Sequence, residues 1–326
     1  MKVLVVGAGM AGAACAYTLT QAGCSVSVME KNKHVGGRMA STQMAWSNFD
    51  LGAQYFTARD PVFIRQVTRW LKDSVVAAWD IQPHLIDKLG IHPSPDNTKR
   101  YFGTPLAQSP IESLLADCNV HLQQNIESLH KRSQGWFAQL SQHNQSGPYD
   151  YVVLAIPAPD VVSLLPQNID LKVFPKFDAY ATQVVVLSLQ KAIRTEVEWS
   201  FVKDRAIDWL GQVNAKYNRN SQQQAWLMHF TPEATDMYRY NDDACFIRLA
   251  QLQLEQIFSQ REPCQVVDSF SYLYPNARIK LLGYKEQYWL DAQQNLAACG
   301  DGFCGGRVEG AFVSGLALAR KLLSVH

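Results

Sequence analysis

Little in this sequence advertises a charged partner, a metal or a membrane. Across 326 residues, 30 lysines and arginines face 29 aspartates and glutamates, so neither a basic face for nucleic acid nor an acidic tail for a cationic partner is expected. The seven cysteines, Cys15, Cys24, Cys118, Cys245, Cys264, Cys299 and Cys304, are odd in number and scattered, with no Cys-x-x-Cys pair and no histidine-rich neighbourhood. That spacing favours reduced thiols in a cytoplasmic compartment over a zinc site or a disulfide framework. No stretch is long and apolar enough to span a bilayer, and the glycines after Val6 break what would otherwise read as the apolar core of an export signal. No internal repeat or low-complexity segment occurs.

What is present is a nucleotide-binding start followed by mixed structure. Residues 2 to 6 form a continuous apolar run suited to a parallel strand buried on both faces, Met10 to Gln21 reads as a helix ended by Gly23, and Ser25 to Met29 as a second strand. An amphipathic helix is predicted from Pro61 to about Trp79, and a short one over Ile111 to Ala116. Val120 to Leu122 and Gly135 to Leu140 look like an antiparallel pair with Ile126 between them, and Tyr151 to Ile156 is an apolar strand stopped by Pro157 and Pro159. Strands are expected at Gln183 to Leu189, Ala225 to Phe230, Val266 to Ser271 and Leu296 to Cys299, with helices over Asp243 to Phe258 and Val308 to Leu323; Asn218 to Gln224 reads as a surface loop. The fold class is therefore α/β: a discontinuous Rossmann-type cofactor-binding domain (1–60, 104–175 and 278–326) with a second, α+β substrate domain on a mixed or antiparallel sheet (61–103 and 176–277).

The glycines between the first strand and helix, Gly7-Ala8-Gly9-Met10-Ala11-Gly12, each have a mechanical task. Gly7 permits the tight turn, Gly9 lets the backbone approach a pyrophosphate, and Gly12 lets the helix pack closely on the strand. Helix-opening N–H groups at Met10 and Ala11 then face phosphate charge. Glu30, with Lys31 beside it, ends the second strand where a carboxylate accepts from ribose hydroxyls and repels a 2′-phosphate. FAD rather than NAD is indicated further along. Arg38, in Gly36-Gly37-Arg38-Met39, has a planar fork for the pyrophosphate; Asp301, after Gly300, is placed to accept from a ribityl hydroxyl; and Val308-Glu309-Gly310-Ala311 opens a helix whose positive end suits the flavin pyrimidine.

Together with Phe49-Asp50-Leu51-Gly52-Ala53-Gln54-Tyr55-Phe56, the run from Asp150 to Pro159 and the tail from Gly300 to Gly315, these segments resemble the FAD-dependent amine oxidase and renalase group of flavoproteins. Arg100-Tyr101-Phe102-Gly103, Trp209 with Lys216, and Trp226-Leu227-Met228-His229 are most similar to bacterial renalase-like proteins. The resemblance implies non-covalent FAD held by Gly7, Gly9, Met10, Ala11, Gly12, Glu30, Lys31, Gly37, Arg38, Met39, Gly52, Ala53, Gln54, Tyr55, Gly300, Asp301, Val308, Glu309 and Ala311, with adenine against the backbone of Ile126. Ile126 reads equally as a core strand residue. Candidates for the flavin face are Gln54, Tyr55, Thr182 and Arg307. The chain departs from the group at Pro105-Leu106-Ala107, where members often carry Pro-Gly-Met, and at Ser269-Phe270-Ser271, where a His-Arg-Trp-like run is usual.

Monoamine oxidases place an aromatic residue immediately before the last helix, as one wall of an amine cage; here that position is Arg307. Facing the flavin, it would oppose a protonated amine; turned away, it would bind a carboxylate or the FAD phosphates. Renalase-like proteins oxidise aberrant dihydronicotinamide isomers and pass electrons to dioxygen, so the resemblance implies an oxidase whose small-molecule substrate is a reduced pyridine nucleotide. An amine or amino-acid oxidase and a flavin-binding regulator without turnover are the alternatives. No histidine, cysteine or carboxylate constellation demands a catalytic role of its own: His229 reads as a satisfied core residue, and Cys304 as a small buried thiol rather than a covalent flavin link. No metal, nucleic acid or membrane is expected, and the oligomeric state is left open.

Overall fold

The computed structural model describes every residue except 45–47, 142–143, 167–168, 170–173, 214–222 and 326. Lys216 and most of the expected loop from Asn218 lie outside the described residues. The chain begins with β1 (Lys2–Val6), α1 (Met10–Gln21) and β2 (Ser25–Met29), then a small hairpin, β3 (Ser41–Gln43) and β4 (Asn48–Asp50). After α2 (Pro61–Lys72) come β5 (Val76–Ala78), β6 (His84–Asp87), β7 (Gly90–Pro93) and β8 (Tyr101–Gly103). Next are α3 (Ser109–Leu115), β9 (Asn119–His121), β10 (Ile126–Arg132), β11 (Gly135–Leu140), β12 (Gln145–Tyr149), β13 (Tyr151–Leu154) and α4 (Ala158–Leu164). The third part contains β14 (Phe177–Leu189), β15 (Trp199–Val202), β16 (Ile207–Gln212), β17 (Ala225–Phe230), α5 (Pro232–Met237), α6 (Asp243–Ile257) and β18 (Val266–Leu281). The chain closes with β19 (Trp289–Asp291), β20 (Leu296–Ala298) and α7 (Val308–Ser324).

The first sheet has the order β19-β20-β13-β1-β2-β9 and is parallel except for the β19–β20 edge. Because both faces of β1 are covered, its apolar run divides by the period of the strand. Val3 and Val5 join a core with α1, α2 and α7, while Leu4 and Val6 join one with the antiparallel sheet β10–β11–β12. Small residues set the closest approach between helices: a Cβ on Gly315 would lie 2.1 Å from the Ala11 carbonyl oxygen. On the outer side Phe63 and Trp70 of α2 pack against Phe312 of α7, so α2 shares a core with the nucleotide-binding half.

Two expectations are corrected. The helix predicted to Trp79 ends at Lys72, because Ser74 adopts a left-handed conformation (φ 57°) and Val76 begins a strand. The expected pairing of 120–122 with 135–140 does not form: β9 lies parallel to β2, with Val120 opposite Val28, and β11 pairs with β10. Arg132 faces Gly135 across a two-residue turn, and Gly135 supplies its φ of 125°. That local hairpin is a shorter closure than the one expected.

The second large sheet runs β18-β14-β17-β16-β15-β6-β7, antiparallel apart from the β15–β6 pair. Phe246, Ala250 and Leu254 of α6 cover one face at a spacing of one helical turn, and the Asp242 side chain accepts the Cys245 N–H at the helix start. The opposite face looks toward the nucleotide-binding half. Strand β18 is sixteen residues long, well past the expected end at Ser271.

Candidate functional site

A cavity of about 1000 Å³ runs between the glycine turn and the open face of the second sheet. Gly7 makes its turn at φ 99°, with its N–H donated to Met29; a Cβ there would meet the Ala155 carbonyl oxygen at 2.7 Å. Gly9, the N-terminal cap of α1, faces open space, since a Cβ there would meet nothing within 4 Å. No side chain caps this helix start and no acidic residue occupies its first turn. The result is a cradle of backbone N–H groups suited to a phosphate. Gly12 stands behind it and does not line the cavity; a Cβ there would lie 2.0 Å from the Gly7 carbonyl oxygen.

Glu30 is buried at the end of β2. One carboxylate oxygen accepts the Ala8 N–H at 2.9 Å, and the other accepts from the Asn32 backbone N–H and side-chain amide. These bonds fix the carboxylate and leave lone pairs for ribose hydroxyls. Lys31 is exposed at the rim, and Ile126, the first residue of β10, is buried in a core and also lines the cavity.

In the middle of the cavity the two ends of the chain meet. Arg38, in a turn of 3-10 helix at Gly37–Met39, donates to both oxygens of Asp301 at 3.0 and 2.5 Å and to the Ala277 carbonyl at 3.0 Å. Each was expected to contact the nucleotide; here they hold each other. The Arg38 carbonyl accepts the Ala53 N–H, and a Cβ on Gly52 would lie 2.0 Å from that oxygen, so the Gly52–Tyr55 segment is pressed onto the arginine turn. The Gln54 amide bonds the Asp50 and Gly52 carbonyls. At the start of α7, Val308, Glu309 and Ala311 line the cavity, and Glu309 also accepts the Arg59 and Asp60 N–H groups at 2.5 and 2.6 Å, fastening α7 to the start of α2. Arg307 is exposed on the cavity wall and forms no ion pair among the described residues.

The far end is floored by one cross-strand row: Tyr272, Val184, His229, Trp209 and Phe201 stand directly opposite one another on β18, β14, β17, β16 and β15, and all five line the cavity. Thr182 and Tyr274 form the next pair. His229 is therefore not a core residue. Its Nε2–H donates to the Leu51 carbonyl at 2.8 Å, fixing the tautomer and tying the floor to the Gly52–Tyr55 segment. Asp208 pairs with Arg278 at the rim. Tyr55, opposite the floor, has its hydroxyl pKa pushed up by burial and partly pulled back by the neighbouring Arg100 guanidinium. Asp96, Thr98, Phe201, Asp208, Tyr272, Tyr274 and Arg278 were not singled out from the sequence; only the Asp96 turn has a local signal there. Cys304 is half-buried, does not line the cavity, and has its thiol pushed up to about 11 by burial. No helix among the described residues is long and apolar enough to cross a membrane.

A family profile for an NAD(P)-binding Rossmann-like domain matches residues 5–70. A 1-hydroxycarotenoid 3,4-desaturase from Flavobacterium sp. (strain P99-3) is 41% identical over 56 residues, which is 17% of this chain and only 12% of that protein's length. Solved structures match over the whole chain. Cyclohexylamine oxidase from Brevibacterium oxydans IH-35A superposes with a TM-score of 0.77 at 10% identity, covering 99% of both chains. An oxidoreductase from Methanosarcina mazei gives 0.74 at 13%, covering 98% of this chain and 100% of the other. The chain shares the fold of these structures. The N-terminal segment is similar to a dinucleotide-binding Rossmann-like domain, and its glycine turn, Glu30 and Arg38 all fall inside the matched residues.

Proposed function

We propose that the protein is an FAD-dependent oxidoreductase of renalase type that takes a hydride from a dihydronicotinamide substrate, with dioxygen as the final acceptor. The observation that carries this reading is the continuity of the cavity from the uncapped start of α1, past Arg38, Asp301 and the start of α7, to the cross-strand floor. FAD bound there supplies the hydride acceptor. The chain's own residues bind and orient: Glu30 holds the ribose, the α1 N–H groups and Arg38 hold phosphate, and the floor from Tyr272 to Phe201 presents a flat, mostly apolar surface to a planar donor.

The charges near the floor favour a donor that is not an ammonium ion. Asp208 is taken by Arg278 and Asp96 by Arg100, while Arg307 adds a cation with no carboxylate partner among the described residues. An amine oxidase is the second reading, favoured by the edge-on pair Tyr272 and Tyr274, with ring centroids 4.7 Å apart in the cavity wall. Anaerobic stopped-flow mixing with dihydronicotinamide isomers and with an amine panel separates these readings. Bleaching of the oxidised flavin by a dihydronicotinamide is expected. Bleaching by amines alone establishes the second reading, and bound flavin that nothing reduces points to a regulator without turnover.

A further inference from the structure

Arg100, immediately before β8, is buried with 4% of its surface exposed. Its guanidinium carbon lies 5.2 Å from the ring centroid of Tyr55, 5.0 Å from that of Trp199 and 5.6 Å from that of Phe201. Nη2 donates to the Asp96 carboxylate at 2.7 Å and Nη1 to the Thr98 carbonyl at 2.8 Å, and the Tyr55 hydroxyl lies close enough for the guanidinium to lower its pKa. The Nε–H has no hydrogen-bond partner among the described residues. Three aromatic rings and one carboxylate are the set that recognises an organic cation, since ring faces and carboxylate all attract positive charge. The Asp96 carboxyl is held below the usual range by its bonds from Thr98 and by Arg100, so its charge persists across neutral pH. Tyr55, Phe201, Asp96 and Thr98 all line the cavity, so this box opens on the substrate end.

We propose that Arg100 determines specificity by filling a latent cation box with the chain's own cation: the wild-type pocket rejects ammonium ions, and removing the arginine side chain creates a binding site for small organic cations. The proposal rests on reading the sheet end of the cavity as the substrate end. It explains how a cavity lined by Tyr55 and Phe201, with buried Trp199 beside the guanidinium, can carry aromatic rings without selecting amines. A second cation entering the box would meet the buried guanidinium with its one carboxylate already engaged.

The test is rescue of purified Arg100→Ala by guanidinium chloride or methylammonium chloride at millimolar concentration, with sodium chloride as the ionic-strength control. Thermal melting is the primary readout and the visible spectrum of bound flavin the second. Arg100→Ala is expected to bind guanidinium about tenfold or more tightly than the wild type does, with a saturable rise in Tm. Where the variant is unfolded as purified, refolding in millimolar guanidinium is expected to restore the folded fraction. Arg100→Gln, which keeps a polar side chain in the box, should respond less than Arg100→Ala. A response in Arg100→Ala no larger than that to sodium chloride, or an equal response in the wild type, overturns the proposal. Because melting needs no flavin, protein that proved to lack FAD would defeat the proposed function while the guanidinium response still decided whether the box exists.

Discussion

Arg38 and Asp301 meet through two parallel hydrogen bonds although 263 residues separate them. The fork geometry matches guanidinium to carboxylate, and a third bond to the Ala277 carbonyl brings in the end of β18. One side chain thus joins the glycine-turn half, the turn that leads into α7 and the second sheet.

Removing that side chain leaves the buried Asp301 carboxylate without its counter-ion. Because about a third of the Arg38 side chain is exposed, solvent offsets part of the loss, and Arg38→Ala should cost roughly 1–3 kcal/mol. Thermal melts and the ratio of flavin to protein absorbance after gel filtration check this. Arg38→Lys is expected to recover part of the stability and less of the flavin retention, since a lysine cannot reproduce the fork.

Gly9 and Gly12 separate nucleotide binding from folding. A methyl group on Gly9 enters open space at an ordinary φ of −84°, so Gly9→Ala should melt close to the wild type while losing flavin. A methyl group on Gly12 collides with the Gly7 carbonyl, a backbone atom that cannot yield without moving the turn, so Gly12→Ala should lose both flavin and stability. Equal melting losses in the two variants would contradict this assignment.

Gly211 makes room for Trp209. A Cβ at Gly211 would lie 2.3 Å from the far edge of the Trp209 ring, so Gly211→Ala should push the indole toward the cavity, costing about 1–3 kcal/mol. The expected signature is a raised KM with smaller change in kcat, together with altered tryptophan fluorescence.

Burial holds the Cys304 thiol up to about 11, so at pH 8 only about one thiol in a thousand is ionised. Alkylation by iodoacetamide, followed by mass spectrometry of the peptide, should accelerate about tenfold per pH unit from 8 to 10, without the plateau of a free cysteine near 8.5. Acid precipitation should release the flavin unmodified, as expected for non-covalent binding.

The sequence disclosed those parts of the site that are local in the chain. The glycine turn, Glu30, the Arg38 turn and the opening of α7 each sit within a few residues of a strand or helix end, where the required backbone restricts the choice of residue. The cavity floor is different. Phe201, Trp209, His229, Val184 and Tyr272 come from five strands, and alternation along each strand identifies two faces but not which residues stand opposite one another. His229 read as core for that reason: its apolar neighbours in 225–230 are buried, and only the register places it on the open face. The helix predicted to Trp79 failed on a smaller scale, because helical spacing continues through Val75 while the backbone has already turned at Ser74.

The fastening of Arg38 to Asp301 also bears on the order of events during synthesis. The glycine turn leaves the ribosome well before Asp301 and α7, which follow it by more than 260 residues. A nascent chain can therefore fold the βαβ unit of β1, α1 and β2 before Asp301 is made, but the Arg38–Asp301 link cannot close until that residue has emerged.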